Sequence, residues 1–147
     1  MATPTQRIEQ HPDIMAMRMP YERVAESRTT QLTEGLAMLA GVYLAISPFV
    51  VGFADLITIT VNNLITGVAA AALAMAYASA FGRTHGLAWV LPVLGIWTIV
   101  SPWVTRGEVN TVEVVWNNVV VGAVILVLGL ITAAVSLRGD RSRQPAR

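Results

Sequence analysis

The chain has no cysteine and no lysine, and it is poor in charge of either sign. Without cysteine there can be no disulfide staple, thiolate zinc site, iron–sulfur cluster or dithiol redox couple. The absence of lysine leaves all ten basic residues as arginine, which reads as the codon bias of a GC-rich bacterial genome rather than as chemistry. Charged residues make up 13% of the 147 and hydrophobic ones 54%, whereas soluble domains carry about 25% charged residues. Too few charges remain to coat a water-facing surface around so much apolar side chain. The net charge of +1 gives no reason to expect nucleic acid.

The charges are also segregated. Between Gly35 and Leu137 the only acidic or arginine side chains are Asp55, Arg83, Arg106, Glu108 and Glu113. Four stretches free of ionisable groups result, at about 35–53, 61–82, 87–105 and 114–137. Each is close to the ~20 residues that cross a ~30 Å hydrocarbon core as a helix. Lipid leaves no partner for bare backbone, so these stretches are expected to be helices. A soluble bundle would need a polar face on every helix, and none is present. The expected fold is therefore an all-α membrane protein of four transmembrane helices. Its organisation is an N-terminal arm (1–34), a first hairpin (35–82), a short loop (83–86), a second hairpin (87–137) and a basic tail (138–147).

Arginine sets the expected orientation. Arg7, Arg18, Arg23 and Arg28 precede the first span, Arg83 lies in the middle connection, and Arg138, Arg141, Arg143 and Arg147 follow the last. The two hairpin loops hold only Arg106. With four spans, the tails and the middle loop share one side, and the positive-inside rule makes it the cytoplasm. The expected location is the bacterial inner membrane with both termini inside and the first span acting as its own insertion signal. In the arm, Ile14, Met17, Tyr21 and Val24 recur at helical spacing after His11-Pro12-Asp13, predicting a short amphipathic helical segment over 12–33, either one helix kinked at Pro20 or two with the second starting there.

The two hairpins repeat each other. Residues 41–49 (GVYLAISPF) align with 95–103 (GIWTIVSPW), and 62–67 (NNLITG) with 117–122 (NNVVVG). Each unit is a helix ending in Gly-x-aromatic-x-x-x-Ser-Pro-aromatic, a loop, and a helix opening with Asn-Asn-x-x-x-Gly. These residues resemble the SPW-repeat family of bacterial and archaeal membrane proteins, over about 36–136, with Phe49 standing where the family has Trp. The resemblance implies tandem repeats of paired membrane helices and brings no activity with it. Because both hairpins enter from one side they are parallel repeats, unlike the inverted repeats of many alternating-access transporters.

The motif residues Ser47, Pro48, Phe49, Asn62, Asn63 and Gly67, and Ser101, Pro102, Trp103, Asn117, Asn118 and Gly122, have two readings. Pro48 and Pro102 lack an N–H, which frees the carbonyls of Leu44 and Thr98. Ser47 and Ser101 stand where they can bond back into the preceding turn, leaving a kinked but satisfied helix end; alternatively the carbonyls face an ion or polar ligand. Pro92 is expected to break the third helix a second time. Asn62 and Asn117 fall where helix N-caps belong. Asn63 and Asn118, one position deeper, are expected to bond across to the carbonyls freed by the prolines, so that leucine there lowers stability in detergent. Gly67 and Gly122 read as helix-packing positions. Trp103, Trp116, Trp89 and Tyr77 read as interfacial aromatics, and Tyr43 and Trp97 as packed within the bundle.

No stretch assigned to the membrane holds Asp, Glu, His, Lys or Cys, and the three loop carboxylates have no histidine partner, so neither catalysis nor a metal or other cofactor is expected. Ion-coupled pumps carry ionisable groups in the membrane, which argues against that class too. What remains is a non-catalytic structural or accessory subunit; the alternative is a small passive pore with a polar site at the Ser-Pro/Asn-Asn end. The expected partners are the lipid bilayer and either a second copy of the chain or an unidentified membrane or cytoplasmic protein.

Overall fold

The computed structural model describes residues 28–105 and 111–141, the side chains at 80–85 and 138–141 apart. Most of the expected amphipathic arm, the loop with Arg106 and Glu108, and residues 142–147 lie outside the described residues. All regular structure described is helical: α1 (Arg28–Val51), α2 (Ile57–Thr84), a 3-10 turn (His85–Leu87), α3 (Val90–Val104) and α4 (Val112–Arg141). α1 packs along α2, and α3 along α4, as two antiparallel hairpins; α1 also meets α4, and α2 meets α3. The result is one four-helix membrane bundle.

What faces outward identifies the solvent. Leu39, Val50, Ile65, Val68, Val93, Ile96, Val124, Val127 and Leu130 are all exposed, a surface that water would not tolerate but hydrocarbon does. α1, α2 and α4 are long and apolar enough to cross a membrane, while α3 has only 15 residues. Pro92 explains the late start of α3. It falls in the first turn, where no N–H is needed, so it opens the helix instead of breaking it. The other helices start earlier or run later than the charge pattern implies: α1 begins at Arg28, ahead of Gly35, and α4 continues into the basic tail.

The hairpins are closed by glycine. A Cβ placed on Gly41 would lie 2.6 Å from Ala71 N and 2.8 Å from Gly67 O, and one on Gly67 would lie 2.5 Å from both Ala45 N and Gly41 O. The second hairpin repeats this with Gly95 against Gly122 and Leu126. Between the hairpins, Ala37, Leu44, Ala70, Ala74, Tyr77, Leu91, Val121 and Ile125 form one core drawn from all four helices. Equivalent positions complement each other in size: Ala37 aligns with Leu91 and Ala70 with Ile125, so one repeat supplies bulk where the other supplies room.

α1 ends beyond Pro48. Gly52, at φ +93°, lets the N–H groups of Gly52 and Phe53 both reach Pro48 O, at 3.1 and 2.9 Å, a left-handed C-terminal cap that favours glycine. The turn then folds Phe53 inward, where it packs with Ile59 and Val114 and is flanked by Val51 and Leu56.

Candidate functional site

The two Ser-Pro elements occupy equivalent places, and both serines and both prolines are buried. Ser47 Oγ donates to Leu44 O at 2.8 Å, and Ser101 Oγ to Thr98 O at 3.0 Å. These are the two carbonyls from which Pro48 and Pro102 withhold an N–H. Each Ser-Pro unit thus creates an unpaired carbonyl and satisfies it one residue away. Phe49 and Trp103, at 66% and 64% exposure, point outward at the membrane-facing surface.

The asparagines do not cap their helices. α2 starts at Ile57 and α4 at Val112, so Asn62 and Asn117 lie more than a turn inside, because the β-branched residues ahead of them are already helical. Their partners are aromatic and come from the other repeat. Trp97 Nε1 donates to Asn62 Oδ1 at 2.9 Å, and Tyr43 OH donates to Asn117 Oδ1 at 3.2 Å. Trp97 aligns with Tyr43 and Asn62 with Asn117, so the two bonds form one interaction made twice, from the first helix of each repeat to the second helix of the other. Tyr43 and Trp97 are therefore not interior packing residues; at 39% and 42% exposure they lie across the bundle flank with only the polar edge engaged. A double-mutant cycle on Trp97→Phe and Asn62→Leu should give a coupling of about 0.6 kcal/mol in denaturant titrations, the usual value for a polar contact between membrane helices. Strict additivity would remove the bond from the account.

Asn63 and Asn118 have no exposed surface. An indole N–H only donates, so Asn62 must turn its oxygen to Trp97 and its nitrogen to Asn63 Oδ1, at 3.3 Å. That leaves Asn63 Nδ2 without a partner, together with Asn117 Nδ2 and Asn118 Oδ1. Asn118 Nδ2 donates to Val114 O of its own helix at 3.0 Å. Neither inner asparagine bonds to Leu44 O or Thr98 O: Asn118 Nδ2 turns to its own helix and Asn63 Nδ2 has no partner, so the expected loss of stability on leucine substitution loses that basis. One turn towards the Ser-Pro end, Ile59 and Val114 are fully buried and Phe53 nearly so. The amides are closed off on that side by an apolar plug.

The model of the SPW repeat domain matches residues 31–132. The chain belongs to the SPW repeat family. The match spans both hairpins, so the Ser-Pro, Asn-Asn and glycine elements all lie inside it. No curated protein and no solved structure matches the chain.

In the two SPW repeats, then, the motif residues gather in one half of the bundle. Serine acts on its own helix, asparagine on the opposite repeat, and glycine on the seam within each hairpin. Among the described residues no three His, Cys, Asp or Glu side chains come together as metal ligands. Tyr77, read as an interfacial aromatic, is 1% exposed, and its hydroxyl donates to Leu87 O at 2.5 Å. It sits at the interior joint between the repeats rather than in the aromatic belt, whereas Trp89, Trp103 and Trp116 are exposed. Two features have no plain signal in the sequence. The cross-repeat direction of the Asn–aromatic bonds depends on how the hairpins dock. The plug residue Phe53 lies outside both aligned blocks.

Proposed function

We propose that this multi-pass membrane protein is a non-catalytic structural or accessory subunit that acts by assembly. In this reading it lies in the bacterial inner membrane with both termini in the cytoplasm, on the side carrying nine of the ten arginines. The observation that supports it most is where the motif spends its polar groups: Ser47 and Ser101 on their own helices, Asn62 and Asn117 across the repeats. These bonds fix the bundle's shape and leave an apolar outer surface for lipid and for other membrane helices.

Native mass spectrometry on the protein extracted in lipid particles from its own cell tests this. A second protein in fixed stoichiometry is the expected result. A chain that comes out alone, and that admits small solutes when reconstituted in vesicles, would overturn it in favour of the passive-pore reading. That reading requires the Phe53, Ile59 and Val114 plug to open onto Asn63 and Asn118. Replacing Ile59 with alanine would then raise the flux.

A further inference from the structure

The early start of α1 brings Glu34 into the helix that spans Arg28–Val51. Its side chain is 5% exposed, and Oε1 is buried without a hydrogen-bond partner. Glu34 falls two turns before Gly41 on the same buried stripe as Thr30 and Ala37. The second repeat supplies a control. By the alignment, Glu34 corresponds to Ala88, which is also 5% exposed. The aligned position of the second repeat is thus held by a methyl group, in the turn that leads into α3 rather than inside a helix, so the repeat itself does not call for a carboxyl there. As an ion, a carboxylate held at the edge of the membrane without a partner would work against folding.

A cation must therefore accompany it, and its surroundings select which one. A metal ion needs several oxygen ligands. Glu34 belongs to no ligand cluster among the described residues, and the Thr33 hydroxyl beside it already donates to Thr29 O at 2.8 Å. The titratable side chains described at this end are few. Arg28 on α1 is exposed, and Tyr77 on α2 has its hydroxyl committed to Leu87 O. α3 carries none, and α4 carries none between Val114 and Leu137; Arg83, His85 and Arg138 follow in the chain at the same end. A proton needs only one oxygen and no other ligand. We propose that Glu34 is a proton-binding site embedded in the bundle. Its carboxyl carries a proton in the folded protein and, when the O–H bond breaks, releases it to water at the end bearing the N-terminus, leaving a carboxylate.

The test uses the full chain in lipid nanodiscs and dicyclohexylcarbodiimide, an apolar reagent that attacks protonated carboxyls, with the adduct mapped by peptide mass spectrometry. Glu34 should be modified at neutral pH, modification should vanish as pH rises, and the exposed Asp55 and Glu113 should stay unmodified. Folded protein unlabelled at Glu34, or labelling that ignores pH, overturns the proposal. Infrared spectra on a pH step give a second reading: a protonated-carboxyl stretch in the wild type that Glu34→Gln abolishes. The same band surviving in that variant also overturns it. If Glu34→Gln does not fold, Glu34→Ala, built after Ala88, takes its place. The melting temperature of the wild type should fall as pH rises, because ionisation is unfavourable only in the folded state, and that of the alanine variant should stay level.

Discussion

Replacing Gly67 with valine should cost the protein about 3 kcal/mol or more, enough that the variant is recovered unfolded or in aggregates from mild detergent. The first added carbon alone would lie 2.5 Å from Ala45 N and from Gly41 O. Both are backbone atoms, with no rotamer to move aside, so α1 and α2 must separate along the whole seam. Membrane helices gain little from hydrophobic exclusion between themselves and depend on close contact, so separation removes the main attraction in the hairpin. Gly122→Val should be comparably damaging: Ile99 Cγ1 at 2.7 Å could move, but Ile99 N at 2.8 Å and Gly95 O at 2.9 Å are backbone and cannot. Gly35 is the control: nothing lies within 4 Å of a Cβ there, and alanine should hold or slightly raise stability through helix propensity. Thermal and denaturant unfolding in one detergent would rank the three. A Gly67→Val melting temperature within a few degrees of wild type would mean that the seam is not the close contact described.

How much of this was legible in the sequence differs by feature. The four helices and their tandem pairing could be read because charge is excluded from lipid and because residues 41–49 and 95–103 align. Using charge as the boundary also produced the main miss. Glu34 closes the arm drawn at 1–34 on the charge pattern, yet α1 takes it in and buries it. The Ser-Pro unit was legible because its chemistry is local: a missing N–H leaves one carbonyl, and a hydroxyl one residue earlier can reach it. The asparagines misled for the opposite reason. Their partners depend on docking between hairpins, and Asn-Asn before a glycine looks like a cap only if the helix starts there. The preceding Ile57–Val61 and Val112–Trp116 segments are helical already, which moves each pair into the interior.

Ser47→Ala should destabilise by about 1–3 kcal/mol, the cost of stranding a buried acceptor, and Pro48→Ala should restore most of it. The serine hydroxyl donates to Leu44 O at 2.8 Å, and Leu44 has no exposed surface. Alanine at 47 leaves that carbonyl empty in a place that neither water nor lipid can serve. Alanine at 48 returns an N–H to the helix ladder at the position that reaches Leu44 O. Pro48→Ala alone forfeits some buried ring contact, so the quantity to read is the coupling in the cycle rather than either single value. Ser101, Pro102 and Thr98 should give the same sign in the second repeat. Equal losses for Ser47→Ala in proline and alanine backgrounds would show that the serine acts elsewhere. A positive coupling in both repeats would mean that the Ser-Pro pair closes its own carbonyl. A site that binds an ion through backbone oxygen needs those oxygens open, so the coupling would also weigh against the ligand reading of the motif and for assembly.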